Sequence, residues 1–263
     1  MRKKVGLVLG AGGARGFCHI GVIEVLQENG IPIDIVTGCS MGAMIGGGFA
    51  SGVSCQEMRA SAKQITTTSV FDVDIRNIRS NLRNVGGLAP GNRAMRIFKQ
   101  FAGEKHIEEC QISFAAIAAD MRSQSLHVFK TGTVWQAVRA SISIPVIFQP
   151  VEHEEKLLVD GGLLKRMPIS EAREMGAEII IAVDAIGPPR ELRSSQALSI
   201  LDASYQMLDW RSAQYEGLAA DVLIVPELDD RSSFMFRNGE EAIQRGREAT
   251  IAALPRIKQL VFN

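Results

Sequence analysis

Ile33-Asp34-Ile35-Val36-Thr37-Gly38-Cys39-Ser40-Met41-Gly42-Ala43 sets an apolar run against a sharp corner, and the helix-compatible run Met41 to Ala50 follows at once. The pattern is Gly-x-Ser-x-Gly between a strand and a helix, the setting in which a serine is forced into a strained turn with Oγ projecting from the sheet. Cβ atoms at Gly38 or Gly42 would collide with neighbouring backbone. The helix beginning at Met41 aims its N-terminal amides and the positive end of its dipole at the serine, which favours developing negative charge there. A tight turn with an incidental serine is the plainer alternative. With both flanks correct, Ser40 is the candidate nucleophile, and Gly38, Met41 and Gly42 form its elbow.

Upstream, Lys4 to Leu9 reads as a buried parallel strand that breaks into Gly10-Ala11-Gly12-Gly13-Ala14-Arg15-Gly16, and Phe17 to Asn29 resumes with helical spacing up to a stop at Gly30. Arg2-Lys3-Lys4 before an apolar run imitates a short leader peptide, but the glycines and Arg15 interrupt it. As a dinucleotide fingerprint the loop lacks its third glycine, and Glu28 or Asp34 would have to serve as the ribose acid. It is not a phosphate-binding P-loop, because no Gly-Lys-Ser/Thr follows. As an anion hole it works: the amides of Gly12 and Gly13, with Ala14 and Arg15 beside them, face the turn of the next strand, where Ser40 sits. Arg15 is a candidate to brace the loop or the developing charge. A glycine turn serving only helix packing is the simpler reading, and Ser40 weighs against it.

Downstream, Ser54 caps a helix from Gln56 to Gln64. From Ile65 to Gly91 no period holds, and a stretch of that length in a domain signals a lid, a substrate-binding loop or disorder. Its apolar residues are Val70, Phe71, Val73 and Ile75, and its basic ones Arg76, Arg79 and Arg83. Asn92 to Phe101 restores a helix. Strands are expected over Ile112–Ala119, Ser125–Lys130, Glu178–Val183 and Val222–Val225, with a hairpin between Phe148 and Val159 turning near His153. Helices are expected over Thr133–Ala140 (Val134, Trp135, Ala137 and Val138 inward), Ile169–Met175, Leu192–Leu218 and Gly239–Leu260. Such alternation predicts one α/β domain over 1–263: three layers, α/β/α, around a mostly parallel sheet.

The 263 residues are 46% hydrophobic and 22% charged with a formal net charge of +0, which supplies a core and gives no global field for nucleic acid or an anionic membrane. Cys18, Cys39, Cys55 and Cys110 are scattered, without Cys-x-x-Cys or metal-ligand histidine spacing, so no metal is expected and a reduced, cytoplasmic setting is. No stretch approaches the ~20 apolar residues of a membrane span. A soluble protein is expected, with transient contact at a membrane surface left open.

A serine hydroxyl needs a proton acceptor. The histidines are His19, His106, His127 and His153. Asp120 followed by His127 or His153 satisfies the order of an α/β-hydrolase triad. Against that, His127 falls within a strand, His153 at a charged hairpin tip and His19 in the first turn of a helix. Asp120, Asp160 and Asp184 each end a strand, on the edge where open α/β sheets build sites. Gly161-Gly162 singles out Asp160, because the pair permits a tight turn and close approach of another loop. An aspartate is a weak base (~3.9) and needs desolvation to serve as one.

Gly12-Gly13-Ala14-Arg15-Gly16 with His19-Ile20-Gly21-Val22, Gly38-Cys39-Ser40-Met41-Gly42, Ala140-Ser141 with Pro145 and Phe148, and Asp160-Gly161-Gly162 occur in this order from Lys4 to Asp184. Together they resemble the patatin-like phospholipase family in its compact bacterial form. The resemblance implies a Ser40–Asp160 dyad, a glycine-loop oxyanion hole, and hydrolysis of lipid acyl esters without metal or cofactor. It also implies a helix-flanked sheet related to but distinct from the α/β-hydrolase fold. Ala11 departs from the family's first loop glycine. Lys165-Arg166-Met167-Pro168 departs from its Asn before Pro, which bears on substrate preference. Cys39 reads as a small buried residue. The rival function is a non-catalytic nucleotide-binding or regulatory module that keeps the fold. Head group, acyl length and oligomeric state are not encoded in any motif.

Overall fold

The computed structural model describes residues 2–70, 86–189, 191–192, 195–228, 233, 235–237 and 239–263. Phe71, Val73, Ile75, Arg76, Arg79 and Arg83 of the expected lid or substrate loop lie outside the described residues.

The strands are β1 (Val5–Leu9), β2 (Ile35–Cys39), β3 (Gly87–Ala89), β4 (Ser113–Asp120), β5 (Ser125–Phe129), β6 (Val146–Phe148), β7 (Val151–His153), β8 (Lys156–Asp160), β9 (Ile179–Val183) and β10 (Val222–Ile224). The helices are α1 (Cys18–Glu28), α2 (Met41–Ala50), α3 (Cys55–Gln64), the single turn α4 (Thr67–Val70), α5 (Asn92–Ala102), α6 (Val134–Ser141), α7 (Ile169–Glu174), α8 (Ala197–Leu218) and α9 (Glu240–Phe262). The main sheet runs β10-β9-β1-β2-β4-β8-β7, with β5 also on β4. From β10 to β4 every pair is parallel, whereas β5, β8 and β7 join antiparallel.

Side-chain alternation along the strands divides the apolar material between two faces. Val5, Leu7 and Leu9 of β1, with Val36 and Phe114, pack beneath α1, α2 and α9. Val8, Ile35, Ile180 and Ala182 pack instead with Ile169 and Ala172 of α7 and Ala213 of α8. Because both faces are covered, β1, β2 and β9 are buried throughout, and β1 and β9 carry no polar side chain. The result is three layers.

Boundaries follow local chemistry. Ser54 accepts from the Glu57 amide while Glu57 accepts from the Ser54 amide, a capping box that starts α3 one residue earlier than expected. Extended Gln196 delays α8 to Ala197, five residues after the expected start. Trp135 is only partly buried and carries Lys99 Nζ 3.7 Å over its ring.

One register relation builds the site. On β4, Ala116 and Ile117 pair simultaneously with β2 and β5, and Ala118 to Asp120 pair simultaneously with β8 and β5. A strand has two edges, so β2 and β8 must share the edge opposite β5. They approach along it from opposite directions: β2 ends with Cys39 beside Ile117, and β8 ends with Asp160 beside Ala118.

Candidate active site

Ser40 follows β2 at the head of α2 with φ 54 and ψ −122, a left-handed conformation costly for a residue with Cβ. The corner closes because Gly42 lies against β1: a Cβ there would stand 2.0 Å from Leu9 O. The Ser40 amide donates to Ser141 Oγ at 2.8 Å, which holds the strained corner from outside its own helix.

Ser40 Oγ donates to Asp160 Oδ2 at 2.7 Å. Both residues are buried, Ser40 at 5% and Asp160 at 3% exposure. Asp160 Oδ1 accepts from the Gly162 amide at 2.8 Å, and the Asp160 amide donates to Ser143 O at 2.9 Å. Burial pushes the Asp160 carboxyl up to about 6, against the opposing pull of Ser40, Gly162 and Cys39. An ordinary carboxylate has thereby become a group that accepts a proton near neutrality. Buried Cys39 places Sγ 3.8 Å from Asp160 Oδ1.

The glycine loop is tied at both ends. Gly10 N donates to Val183 O and Ala11 N to Arg166 O, each at 3.0 Å. His19 Nε2 donates to Gly10 O at 2.8 Å. Burial lowers His19 to about 4, so its imidazole is neutral and acts as a brace. Ala14 N donates to Ser233 O at 2.7 Å and Arg15 N to Gly12 O at 3.1 Å. Those two amides of the expected anion-binding set are therefore committed elsewhere. The amides of Gly12 and Gly13 make no hydrogen bond among the described residues. Gly13 has φ +52, a Cβ there would stand 2.2 Å from Ser233 O, and the residue lines a pocket with Ser40.

That pocket offers about 570 Å³, part of it open to solvent. Beyond Gly13, Ser40 and Ser233, its walls are apolar, among them Met41, Met44, Ile97, Ile144 and Phe148. Phe236 closes one side: its amide donates to Thr67 Oγ1 at 3.0 Å and its ring meets Phe17 edge-on at 6.1 Å.

The remaining candidates are occupied elsewhere. Asp120 accepts from Ser123 Oγ and the amides of Arg122 and Leu157, and these bonds hold its carboxyl at about 2. His127 meets Phe129 edge-on at 4.4 Å and lies tilted against His153 at 5.7 Å. Asp184 accepts from Arg166 and from the amides of Ile186 and Gly187. The residues that depart from the family pattern prove structural. Ala11 packs with Cys39 and Ile117 beneath the loop. Arg166 is 1% exposed and pairs with Asp184 at 2.7 Å, while Pro168 O accepts from Thr37 Oγ1. The 165–168 segment straps the glycine loop to β2.

Sequence reasoning placed Ser141 within a family block without giving it a role, and missed Arg139 and Ser233 altogether. Ser141 Oγ accepts from the Ser40 amide. Arg139, buried, donates to Pro90 O at 2.7 Å, to Gln149 O at 2.9 Å and to Ser143 Oγ, so it fixes the loop that carries Ser143. Ser233 supplies the carbonyl that positions Ala14. For Ser141 the signal was the Ala140-Ser141 block with Pro145 and Phe148; nothing local marked Arg139 or Ser233.

A family model described as Patatin-like phospholipase matches residues 7–173. The chain belongs to the patatin-like phospholipase family. Among its patatin-like relatives is lysophospholipase NTE1 of Cryptococcus neoformans var. neoformans, 36% identical over 187 residues that cover 69% of this chain and 11% of the fungal protein. An uncharacterized NTE family protein of Mycobacterium tuberculosis is 32% identical over 223 residues, covering 78% of this chain and 60% of that protein. The chain therefore spans a small part of the fungal relatives and three-fifths of the mycobacterial one. Among solved structures, VipD from Legionella pneumophila superposes with a TM-score of 0.56 at 14% identity, covering 98% of this chain and 67% of that chain. Human GIVD cytosolic phospholipase A2 gives 0.53 at 9% identity, covering 99% and 60%. At such identities the likeness is one of patatin-like fold. Among the described residues no helix is long and apolar enough to cross a membrane, and no group of three or more His, Cys, Asp or Glu is placed to hold a metal ion.

Proposed function

We propose that the chain hydrolyses acyl esters of lipids, with Ser40 as nucleophile and Asp160 as its base. The observation that carries this is the 2.7 Å hydrogen bond from Ser40 Oγ to a buried carboxylate whose affinity for protons is raised. Ser40 Oγ attacks the acyl carbon while Asp160 Oδ2 takes the hydroxyl proton. The carbonyl oxygen becomes an oxyanion beside the Gly12 and Gly13 amides and the head of α2. Collapse expels the alcohol, which leaves with the proton held by Asp160. Water then attacks the acyl-serine, Asp160 takes its proton and returns it to Oγ, and the fatty acid departs. A general base of this kind contributes ~10²–10⁴ and one oxyanion donor ~10²–10³.

The apolar pocket beside Ser40 can take an acyl chain, and the fungal relatives carry the name lysophospholipase. The experiment is a panel of monoacyl and diacyl glycerophospholipids and simple esters, assayed with wild type, Ser40→Ala and Asp160→Ala. Hydrolysis lost in both variants supports the reading. Hydrolysis that survives Ser40→Ala refutes Ser40 as the nucleophile, and binding of ATP or a nicotinamide nucleotide without any hydrolysis refutes the reading in favour of the regulatory module.

A further inference from the structure

A second apolar pocket of about 460 Å³, part of it open to solvent, adjoins the first, and the two share the walls Met44, Ile65 and Ile97. All three dividing side chains are only partly buried, and none carries a polar group. The second cavity is walled further by Phe17, Met58 and Phe98, with Gly48 on α2. Helical spacing puts Ser40, Met44 and Gly48 in one line along α2, each one turn beyond the last.

Gly48 is the informative residue. α2 contains Gly46-Gly47-Gly48, a run costly to a helix. Packing explains the first two: a Cβ on Gly46 would stand 2.8 Å from Val36 Cγ1, and one on Gly47 2.9 Å from Val134 Cγ1. A Cβ on Gly48 would meet nothing closer than Met58 Sδ at 3.7 Å, and Gly48 φ is not in the left-handed range. Neither sterics nor backbone conformation calls for glycine there. What the missing side chain leaves is room in the second cavity.

We infer that the second cavity receives the distal end of a long acyl chain, and that Gly48 sets how long a chain the enzyme takes. This rests on the reading of Ser40 as the acylated residue. Flexible Met44 divides the cavities and yields to the chain, as an unbranched thioether can. From Ser40 to Gly48 along the helix is about 12 Å. A methylene advances an extended chain by ~1.25 Å, from a ~1.5 Å bond at a tetrahedral angle, so chains beyond roughly ten carbons reach Gly48. Shorter chains end in the first cavity.

The test measures kcat/KM for p-nitrophenyl esters from butanoate to hexadecanoate. In Gly48→Leu the ratio of hexadecanoate to butanoate activity falls tenfold or more, with the break near ten carbons. In Gly48→Ala the ratio falls less, while Tm rises by about 1–4 °C, since removing a helical glycine without a clash stabilises. Should Gly48→Leu not fold, Ser61→Phe fills the same cavity from α3 and gives the same break. An unchanged ratio in folded variants, or an equal fall at every length, overturns the inference. If wild type shows no Ser40-dependent hydrolysis even of butanoate, the underlying hydrolase reading fails first and the inference falls with it.

Discussion

Ser40 and Asp160 meet because the strands before them end against consecutive residues of β4, Cys39 beside Ile117 and Asp160 beside Ala118. The two side chains arrive from opposite directions at one point on one edge. Their 2.7 Å hydrogen bond is thus a product of sheet register and does not depend on a mobile loop.

The raised Asp160 carboxyl links activity and stability to pH with opposite signs. The proposed mechanism needs the carboxylate, so kcat/KM should fall below a midpoint near the value of about 6. The folded protein holds its proton more tightly than the unfolded chain (~3.9). Stability from Asp160 is therefore full below about pH 4 and is lost as pH rises through about 6. Asp160→Asn should abolish hydrolysis yet be more stable than wild type at pH 8, by up to about 3 kcal/mol, and equal to it at pH 4. Urea titrations at the two pH values check this.

Ser141→Ala removes the acceptor of the Ser40 amide and leaves a buried donor unpaired, at a cost of ~1–3 kcal/mol. The strained corner is what that bond holds, so kcat should fall more than tenfold with KM little changed. Steady-state kinetics beside a melting curve separate the effects.

Much of this was legible because the signals were local. β1, β2 and β9 are short apolar runs bounded by glycine or aspartate. The elbow carries its own glycines, and Gly161-Gly162 marked Asp160 among three strand-ending aspartates. What was illegible depends on distant contacts. β3 pairs with β6 through three-residue segments too short for any period. Ser141 and Ser233 act through hydrogen bonds to residues about a hundred or more positions away, and the order Asp120 followed by His127 or His153 left a histidine base open until Asp160 was seen on Ser40 Oγ and the two rings against each other and Phe129. The amides of Ala14 and Arg15 could not be removed from the anion hole until their acceptors were visible.

Gly13→Ala forces a Cβ to 2.2 Å from Ser233 O at a φ of +52. The loop must shift, and with it the Gly12 and Gly13 amides of the proposed oxyanion hole. kcat should fall ~10²–10³, the usual effect of losing one oxyanion donor, while Ser40 remains reactive toward a small phosphonylating agent. Comparing ester turnover with labelling rate tests the loop's role.

Asp184→Leu removes the buried carboxylate that accepts from Arg166 Nη2 at 2.7 Å. Breaking a buried pair costs ~3–5 kcal/mol, and the strap across the glycine loop loosens. A lowered urea midpoint is expected, and a midpoint unchanged from wild type would show the pair to be dispensable.

The most direct test of the dyad is the pH dependence of phosphonylation at Ser40, followed by mass spectrometry of the modified peptide with a fluorophosphonate in excess. A single rise with a midpoint near pH 6, absent in Asp160→Asn and unaltered in His127→Gln and His153→Gln, is the predicted result. Labelling of Ser40 at the wild-type rate in Asp160→Asn, or a midpoint that moves when either histidine is replaced, would contradict the account.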